Sequence, residues 1–570
     1  HVFKMDENFT SKCEDKTCEC TDPVSFRCAT CKKLYCCGHI EYSLHNCPDT
    51  SDQQKDKWAL TCLMCNKPIS VTPGESPKAA GQQHMDICGQ ADRTNSSQTK
   101  PCGIGSQPGS LSKMFQTPAN GYDRVPHVDE NDALVYQDGN LIGGSLDALI
   151  RHLVPTATYY PDRTYVFSFL LSSRLFIHPH ELLGEVCKIC ALQQQLTDSR
   201  VNREKLGQFG PHLLQLLSEW TEMFPYDFRD DRIMKHLKDI TQKIISLYPE
   251  LRKDFNMLMH NLITRLSGLQ KYEEVLTKIH AEAQHRLLHV VPTTDLYEVC
   301  PSPLVLAQQL THIELERLSN IGPEEFIQAF KSETSNNKKD ITITNVDKKK
   351  TNNLEAYVQW FNRLSYLVAT EICMHLKKKH RVRMIEYFVD VAKECINIGN
   401  FNSLMAIIAG INMSPVARLK KTWGKINTQK FEILEHQMNP SSNFTSYRSS
   451  LKAALWRCQG AADDRERIVI PFFSLFVKDL YFLNEGSSNR TTDDQINFEK
   501  FWEVAKQISE FISWKQVECP FDRHSNILNY VLTNPVFSEN SLQLASFECE
   551  PPENNFEKEK HKQLKMEAGI

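Results

Sequence analysis

The sequence predicts an all-α protein in which two packed helical domains follow a small cysteine-rich module. Three observations support this prediction. Between residues 141 and 548, apolar residues recur at intervals of three and four, and alternating strand patterns are scarce. At 570 residues the chain is longer than one hydrophobic core supports. Twelve of its 20 cysteines lie at or before Cys102, so the N-terminal segment differs in kind from the rest.

The cysteines and histidines of the N-terminus fall into two closely spaced sets. The first set is Cys13, Cys18, Cys28, Cys31, Cys36, His39, His45 and Cys47, and the second is Cys62, Cys65, His84 and Cys88. Short, paired intervals of thiolate and imidazole ligands are what tetrahedral zinc requires. A segment this short cannot bury enough apolar surface to fold without metal. We therefore predict zinc as a structural cofactor. The alternative is a set of buried, reduced cysteines that hold no metal.

A linker and a first helical domain follow this module. Residues 91–120 are polar and rich in Gly and Ser, and we predict a flexible linker over 91–135. The domain is assigned to 136–290. Leu146, Leu149 and Leu153 mark its first helix, which Pro155 ends. The later helical repeats are Tyr165–Phe176, Glu181–Leu196, Leu213–Met223, Ile233–Leu247 and Phe255–Leu269.

A second helical domain is assigned to 299–548. Its repeats begin with Leu306 and Leu310, and a Lys- and Asn-rich stretch, Ser332–Asn353, is predicted to be an exposed loop. The longest later repeat has one apolar face, formed by Tyr357, Trp360, Phe361, Leu364, Leu367, Val368 and Ile372. Residues 549–570 are rich in Glu, Lys and Asn and are predicted to form a disordered tail.

Composition and missing motifs exclude several functions. The net charge of -4 provides no positive electrostatic field that would attract nucleic acid. Residues 1–100 also lack a positive excess, because they hold 12 Lys and Arg against 13 Asp and Glu. The longest apolar stretch, near Tyr165–Ile177, is too short to span a bilayer. We find no secretory signal, and metal ligation in a reducing cytosol suits the cysteines, so we expect a cytoplasmic protein. Residues 141–548 contain no phosphate-loop, nucleophile-elbow or zinc-protease motif, which favours binding over covalent catalysis.

The order and spacing of the first ligand set resemble the AN-one-type zinc finger, which would occupy residues 1–50. By that resemblance one zinc ion takes Cys13, Cys18, Cys36 and Cys47, and another takes Cys28, Cys31, His39 and His45. The set in 51–90 resembles the continuation found in stress-associated zinc-finger proteins. We expect this module to bind a protein partner. A ubiquitin-pathway or proteasome-associated role is a further alternative, implied by the resemblance alone.

The helical body resembles Ras-type guanine-nucleotide exchange factors. The N-terminal exchanger motif of that family is matched at Gly144–Pro155, Phe169–Arg174 and Phe224–Phe228. The catalytic domain is matched at Leu306–Thr311, Asn353–Glu355, Ala369–Ile372, Asn400–Leu404, Asn412–Trp423, Ile470–Phe473 and Ile496–Lys500. The run Met384–Trp423 is most similar to the RasGEF-domain-containing family member 1 group, although a zinc module is not part of that group's usual architecture.

The resemblance implies a helical hairpin at Ile470–Gly486 that is pushed into the nucleotide site of a Ras-family GTPase. Tyr481 would crowd the Mg²⁺ position, where family members often have a smaller aliphatic residue, and Glu485 would replace phosphate. Asn412 would touch the switch-two region. Gln359 stands where some Ras exchangers carry Arg, which leaves its contact and the choice between Ras-type and Rap-type partners open. The first helical domain would brace the hairpin.

Simpler structural roles remain open for the same residues. Tyr481 at helical spacing could belong to the core, Glu485 near a helix end could be a solvated charge, and Asn412 before Ser-Pro could shape a turn. The leading hypothesis is an exchange factor for a Ras-type or Rap-type GTPase. The rival is a non-catalytic adaptor that binds a GTPase without emptying it, while its zinc module recruits other proteins.

Overall fold

The computed structural model describes residues 134–193, 208–289, 294–334 and 352–569, together with Phe115 and four short strands before it. The chain divides into two compact units. One contains residues 1–107 and 436–450, and the other contains residues 108–435 and 451–570. The helices that carry the predicted GTPase-binding residues belong to the second unit.

The first unit contains a four-stranded antiparallel sheet with the strand order β2-β1-β3-β4. Its strands are β1 Phe26–Cys28, β2 Leu34–Tyr35, β3 Ala59–Thr61 and β4 Pro68–Ser70. Arg27 pairs with Thr61, so β1 and β3 join across the boundary predicted near residue 50. Cys28 ends β1. The other predicted zinc ligands lie outside the described residues: Cys13, Cys18, Cys31, Cys36, His39, His45, Cys47, Cys62, Cys65, His84 and Cys88.

The N-terminal half of the second unit consists of a β-hairpin followed by helices. Its elements are β5 Val135–Gln137, β6 Asn140–Gly144, α1 Leu146–Leu153, α2 Arg163–Ser172, α3 Pro179–Gln193, α4 Phe209–Met223, α5 Asp231–Leu247 and α6 Arg252–His289. Helix starts are fixed by capping side chains, as where the Ser145 hydroxyl accepts from Ala148 N–H. Leu149 and Leu153, predicted from the apolar repeat, are fully buried.

The C-terminal half of the chain is also helical, and residues 436–450 within it belong to the first unit. Its helices are α7 Leu296–Val299, α8 Pro303–Asn320, α9 Pro323–Thr334, α10 Asn352–Cys373, α11 Lys378–Ile398, α12 Phe401–Asn412, α13 Ser414–Ala417, α14 Lys420–Trp423, α15 Gln429–Gln437, α16 Ser441–Gln459, α17 Phe473–Glu485, α18 Phe498–Trp514, α19 Ser525–Thr533, α20 Glu539–Cys549 and α21 Asn555–Glu567. Gly399 ends α11 at φ +96°, a left-handed conformation that favours glycine. The predicted all-α architecture is confirmed.

One buried carboxylate joins three helices of this half. Glu314 on α8 accepts hydrogen bonds from Trp360 Nε1 on α10 at 3.0 Å and from Ser403 Oγ on α12 at 2.7 Å. The Asn402 amide on α12 donates to both oxygens. Burial raises the pKa of Glu314, and these hydrogen bonds oppose the rise. Because each donor would be costly to leave unpaired, Glu314 fixes α10 and α12 against α8.

Two segments predicted to be irregular contain ordered residues. Residues 335–351 of the predicted exposed loop lie outside the described residues, but Asn353 at its end is buried in α10, and its amide donates to the Tyr226 hydroxyl at 2.8 Å. The prediction of a disordered tail is wrong. The predicted disordered tail contains α21, whose Leu564 is buried and whose Glu557 pairs with Arg418 at 3.1 Å. These partners lie 127 and 139 residues away in the sequence, and local composition does not reveal them.

The predicted flexible linker also contains a fixed residue. Phe115 is buried, with its ring edge-on to Phe167 of α2 at a centroid distance of 6.3 Å. The same ring meets Trp502 of α18 at 5.0 Å. Phe115 is therefore anchored between the two halves of the second unit. Among the described residues, no helix is long and apolar enough to cross a membrane.

Candidate functional site

The segment Ile470–Gly486, predicted to form the hairpin, contains a single helix, α17, and the hairpin is completed by α18, which lies beyond the predicted range. Phe476, near the start of α17, stacks on Phe511 near the end of α18, with ring centroids 5.7 Å apart. At the opposite end, the Lys500 ammonium near the start of α18 donates to the Ser487 carbonyl just beyond α17. The two helices therefore run in opposite directions and are joined by residues 486–497.

One face of α17 is buried and anchors the hairpin. Phe473, Phe476, Val477 and Leu480 are all under a tenth exposed. Phe326 of α9 packs edge-on against Phe476 at 5.6 Å. The spacing of these four residues at intervals of one, three and four places them on one side of the helix, which leaves the other side of α17 for solvent.

The outer end of α17 presents an aromatic ring and a carboxylate to solvent. Tyr481 is 37% exposed, and Glu485, one turn later, is exposed as well. Residues four apart project from the same side of a helix, so these two side chains are neighbours there. The Tyr481 ring lies 6.5 Å from that of Phe330 on α9, and Glu485 Oε1 accepts from the Asn484 amide at 3.1 Å. Tyr481 is therefore a surface residue rather than a core residue.

Lys500 fixes the turn that follows Glu485. Only 7% of Lys500 is exposed, and its Nζ donates to the Ser487 carbonyl and to Asn489 Oδ1, each at 2.7 Å. Burial lowers the pKa of Lys500, and the Glu485 carboxylate opposes this effect. The Asn497 amide donates to the Ser488 carbonyl at 3.0 Å. These contacts hold the tip of the hairpin in one conformation.

The N-terminal half braces α18. Tyr165 of α2 packs against Phe498 with ring centroids 5.2 Å apart, and Phe176 meets Phe501 edge-on at 5.7 Å. These aromatic contacts join α18 to the segment that contains α2 and the residues after it. The hairpin is thus held by α9 on one helix and by the N-terminal half on the other.

A backbone contact adds to this brace. The strand β7, Ile496–Asn497, pairs with β6, so that Gly143 lies opposite Asn497 and Gly144 lies opposite Ile496. A Cβ at Gly143 would approach the Ile496 carbonyl oxygen to 3.1 Å. Glycine therefore permits the close approach of β6 to the residues that lead into α18.

Gln359 and Asn412 lie on neighbouring helices that pack against one another. Gln359 is exposed on α10, between Tyr357 and Phe361, whose rings contact Phe473 and Phe472 at the start of α17. Asn412 is exposed as the last residue of α12, and its amide donates to Glu435 Oε1 at 2.7 Å. Tyr481 and Glu485 thus share a helix face, whereas Gln359 and Asn412 lie on other helices of the same unit.

Three residues of this region were missed by sequence reasoning. Phe482 is 49% exposed beside Tyr481, and the Lys478 ammonium lies 5.7 Å from its ring centroid. Phe482 lies outside the apolar repeat that forms the buried face of α17, and this spacing could have predicted from the sequence that it is an exposed aromatic residue. Lys500 and Glu314 act through hydrogen bonds that no local sequence pattern reveals.

No group of three or more His, Cys, Asp or Glu side chains in the described residues is placed to hold a metal ion. The N-terminal ligand sets lie outside that search, apart from the backbone of Cys28. Zinc therefore stays a prediction based on ligand type and spacing.

Comparison with known proteins identifies two domains in the helical body. A RasGEF N-terminal motif matches residues 140–240, and a RasGEF domain matches residues 305–502. Human Ras-GEF domain-containing family member 1B is 58% identical over 466 residues, which cover 80% of this chain and 97% of that protein. Member 1B-A of Danio rerio is 57% identical over 471 residues, covering 80% and 91%. Human member 1C is 52% identical over 460 residues, covering 80% and 96%. The expected resemblance to the member 1 group is confirmed.

Proposed function

The chain belongs to the Ras-type guanine-nucleotide exchange factor family, and we propose that it releases GDP from a GTPase of Ras or Rap type by inserting the tip of the α17–α18 hairpin beside the nucleotide. As a member of this family it regulates a GTPase. The observation that carries the proposed mechanism is the solvent-facing pair Tyr481 and Glu485 at the end of a hairpin braced from two sides.

The energetics of exchange define what this surface has to do. A GTPase that binds its nucleotide at about picomolar affinity has a binding free energy of about -16 kcal/mol, to which backbone hydrogen-bond donors and Mg²⁺ contribute a large part. An exchange factor must bind the nucleotide-free GTPase more tightly than the loaded one, and this coupling is reciprocal. A rate gain of about 10⁵ requires roughly 7 kcal/mol of such differential binding. A rigid surface is suited to this task, because it loses little entropy on binding.

Glu485 and Tyr481 have the chemistry to displace phosphate and Mg²⁺. The Glu485 carboxylate can accept hydrogen bonds from the backbone donors that otherwise bind phosphate, and so stabilise the empty site. The Tyr481 ring, one turn earlier, would occupy the volume of the cation and its water ligands. Because Lys500 and the β6–β7 pair hold the hairpin in place, both groups are preorganised for this contact.

Asn412 and Gln359 would extend the contact beyond the hairpin. Asn412 is exposed at the end of α12, and its hydrogen bond to Glu435 fixes the direction of the amide. We propose that it contacts the switch-two region of the GTPase. Gln359 offers a neutral amide, which bonds carboxylates less strongly than a guanidinium does, so we expect it to influence the choice between Ras-type and Rap-type partners.

We expect the purified full chain to accelerate release of a fluorescent GDP analogue from at least one member of a panel of Ras-type and Rap-type GTPases. The control is spontaneous release from each GTPase without the exchange factor. No acceleration from any member of the panel, with folded protein present, would reject exchange. Tight binding without release would favour the adaptor instead, so binding is measured on the same panel.

Replacement of Lys500 tests whether the turn after Glu485 has to be held rigid. Lys500→Met keeps an aliphatic side chain and removes both ammonium hydrogen bonds. We expect a roughly tenfold lower exchange rate, because the carboxylate at the tip is no longer preorganised. Lys506→Met, on the same helix and partly exposed, is the matched control and should exchange at the normal rate. Equal rates for the two variants would contradict a positioning role for Lys500.

We further propose that the N-terminal module binds structural zinc and recruits another protein in the cytoplasm. The backbone supports this: β1 and β2 are paired strands, and the ligand pair Cys28 and Cys31 falls at the end of β1 and in the connection to β2. Closely spaced ligand pairs of this kind are typical of a closed structural site, in which zinc stabilises the fold and leaves no open position.

Metal analysis of the full chain should return about three zinc ions per molecule, two held by the eight ligands of the first set and one held by the four ligands of the second set. Cys13→Ser with Cys18→Ser should remove one of them, whereas Cys187→Ser should remove none, because Cys187 lies in α3 outside both ligand sets. A zinc content of one or less in the unsubstituted chain would overturn the assignment.

A further inference from the structure

A surface rich in lysine lies at the start of α11, apart from the hairpin. Lys377, Lys378 and Lys379 are exposed there, directly after Leu376, which is 68% exposed. The short helix α14 contributes Lys420 and Lys421, both exposed. These six residues are called the lysine surface.

A buried arginine brings the two segments together. Arg381 is 2% exposed and donates from Nη1 to the carbonyls of His375 and Leu376, at 3.0 and 2.7 Å. Its Nε donates to Thr422 Oγ1 at 3.0 Å, and its Nη2 pairs with Glu550 at 3.3 Å. Because a single guanidinium reaches both segments, residues 376–379 and residues 420–421 are neighbours on the surface.

The positive charge of this surface is largely uncompensated. Within the described ranges, Lys377, Lys378, Lys379 and Lys421 form no ion pair within 4.0 Å. Lys420 pairs with the half-exposed Glu553 at 3.2 Å. The whole chain, by contrast, has a net charge of -4, so this positive excess is local.

The acidic groups packed around it do not offset the charge. Glu550 is buried and pairs with Arg381, and Asp295 is buried and pairs with Arg383 and His375. The lysines also lie at the N-terminal end of a 21-residue helix, where the helix dipole disfavours cations. An external anionic surface would relieve both the mutual repulsion of the lysines and this unfavourable placement.

We propose that the lysine surface binds the headgroups of an anionic phospholipid bilayer, with Leu376 entering the headgroup layer. Lysines act as mobile point charges that suit the diffuse field of such a bilayer. An exposed leucine beside them adds the apolar contact that interfacial binding uses. Nucleic-acid surfaces rely on arginine forks and stacking aromatic rings, and none of the six residues provides either.

Vesicle sedimentation of the full chain tests the proposal. The vesicles contain phosphatidylcholine alone, or phosphatidylcholine with about a third phosphatidylserine. We expect binding to the anionic vesicles and little to the neutral ones, with weaker binding at high salt. Lys377→Gln, Lys378→Gln and Lys379→Gln together should weaken it roughly 100-fold, at about fivefold for each lysine. Leu376→Ala should cause a smaller loss.

A matched control uses three exposed lysines on α6. Lys253→Gln, Lys271→Gln and Lys278→Gln remove the same charge from the same unit and should leave vesicle binding unchanged. Lys420→Gln with Lys421→Gln should weaken binding through the other segment, which keeps the test valid if the triple variant unfolds. Equal binding to both kinds of vesicle, or equal losses in the control and the triple variant, would overturn the proposal.

Two further readouts separate a membrane from other partners and from exchange itself. Tighter binding of the full chain to polyglutamate or to single-stranded RNA than to anionic vesicles would also overturn the proposal. GDP release in solution should be the same for the triple variant as for the unsubstituted chain, because the lysine surface includes none of the proposed GTPase contacts. Vesicle binding can therefore be assessed whether or not the proposed exchange activity is found.

Discussion

Glu485→Ala is expected to lower stimulated GDP release roughly 100-fold, equivalent to about 2.7 kcal/mol, while the protein stays folded. The Glu485 side chain is exposed, and the Asn484 amide is its hydrogen-bond partner within the chain. Replacing such a residue usually changes the free energy of unfolding by no more than about 0.5 kcal/mol. The carboxylate is needed only in the nucleotide-free complex, so its loss should appear in the release rate measured with the fluorescent GDP analogue.

Two controls separate this effect from a general loss of charge on the hairpin. Glu499→Ala removes another exposed carboxylate, in the first turn of α18, and should leave exchange unchanged. Glu485→Gln keeps the side-chain shape and one acceptor but removes the charge, so its rate should fall between those of the unsubstituted chain and Glu485→Ala. Full exchange activity in Glu485→Ala would instead favour a GTPase-binding adaptor, whose affinity should hardly depend on this residue.

The parts of the fold that could be predicted are those coded by neighbouring residues. The apolar repeat of Leu146, Leu149 and Leu153 predicts α1, and the apolar face of α17 follows from Phe473, Phe476 and Leu480 in the same way. In each case the spacing of side chains alone decides which face is buried. The exposed position of Tyr481 follows because it lies off that face, although apolar neighbours had left a core role open.

The parts that could not be predicted depend on distant partners or on very short elements. The sheet of β5, β6 and β7 has strands of three, five and two residues, too short for an alternating pattern to be recognised. Lys500 is buried among polar acceptors that follow α17, and its type alone predicts an exposed side chain. The brace on the hairpin was expected from the family resemblance, whereas its contacts are a result of the fold.

The second large effect concerns the stability of that brace. Asp227→Ala is expected to lower the free energy of unfolding by about 3–5 kcal/mol, as measured by urea denaturation. The Asp227 carboxylate pairs with Arg174 at 2.9 Å and accepts from Trp220 Nε1 at 3.0 Å, and the side chains of the ion pair are each 6% exposed. Its removal leaves the buried Arg174 charge without its carboxylate and the Trp220 indole N–H without its acceptor, while Arg174 Nε and Nη2 still donate to the carbonyls of Leu171 and Leu170. Arg174 lies two residues after the end of α2, which packs on α18, so exchange should fall as well.

Matched substitutions show whether the unpaired buried charge of Arg174 causes the expected loss of stability. Asp231→Ala removes an exposed carboxylate four residues later and should cost less than about 1 kcal/mol. Asp227→Asn keeps an acceptor for Trp220 but leaves the guanidinium unpaired, so most of the loss should remain. A loss below about 1 kcal/mol in Asp227→Ala would show that Arg174 had found another partner.

Glu324 is a candidate for such a partner, because it interacts electrostatically with Arg174. Glu324 is buried at the start of α9, and neither of its carboxylate oxygens has a hydrogen-bond donor within the described residues. Burial raises the pKa of Glu324, and the Arg174 charge opposes this rise. If Glu324 takes over the guanidinium, Asp227→Ala combined with Glu324→Ala should destabilise the protein by more than the sum of the single changes. Simple additivity would show that Asp227 alone balances Arg174. Because Glu324 lies on α9, which also packs on α17, this double-mutant cycle measures whether both braces of the hairpin share one buried charge.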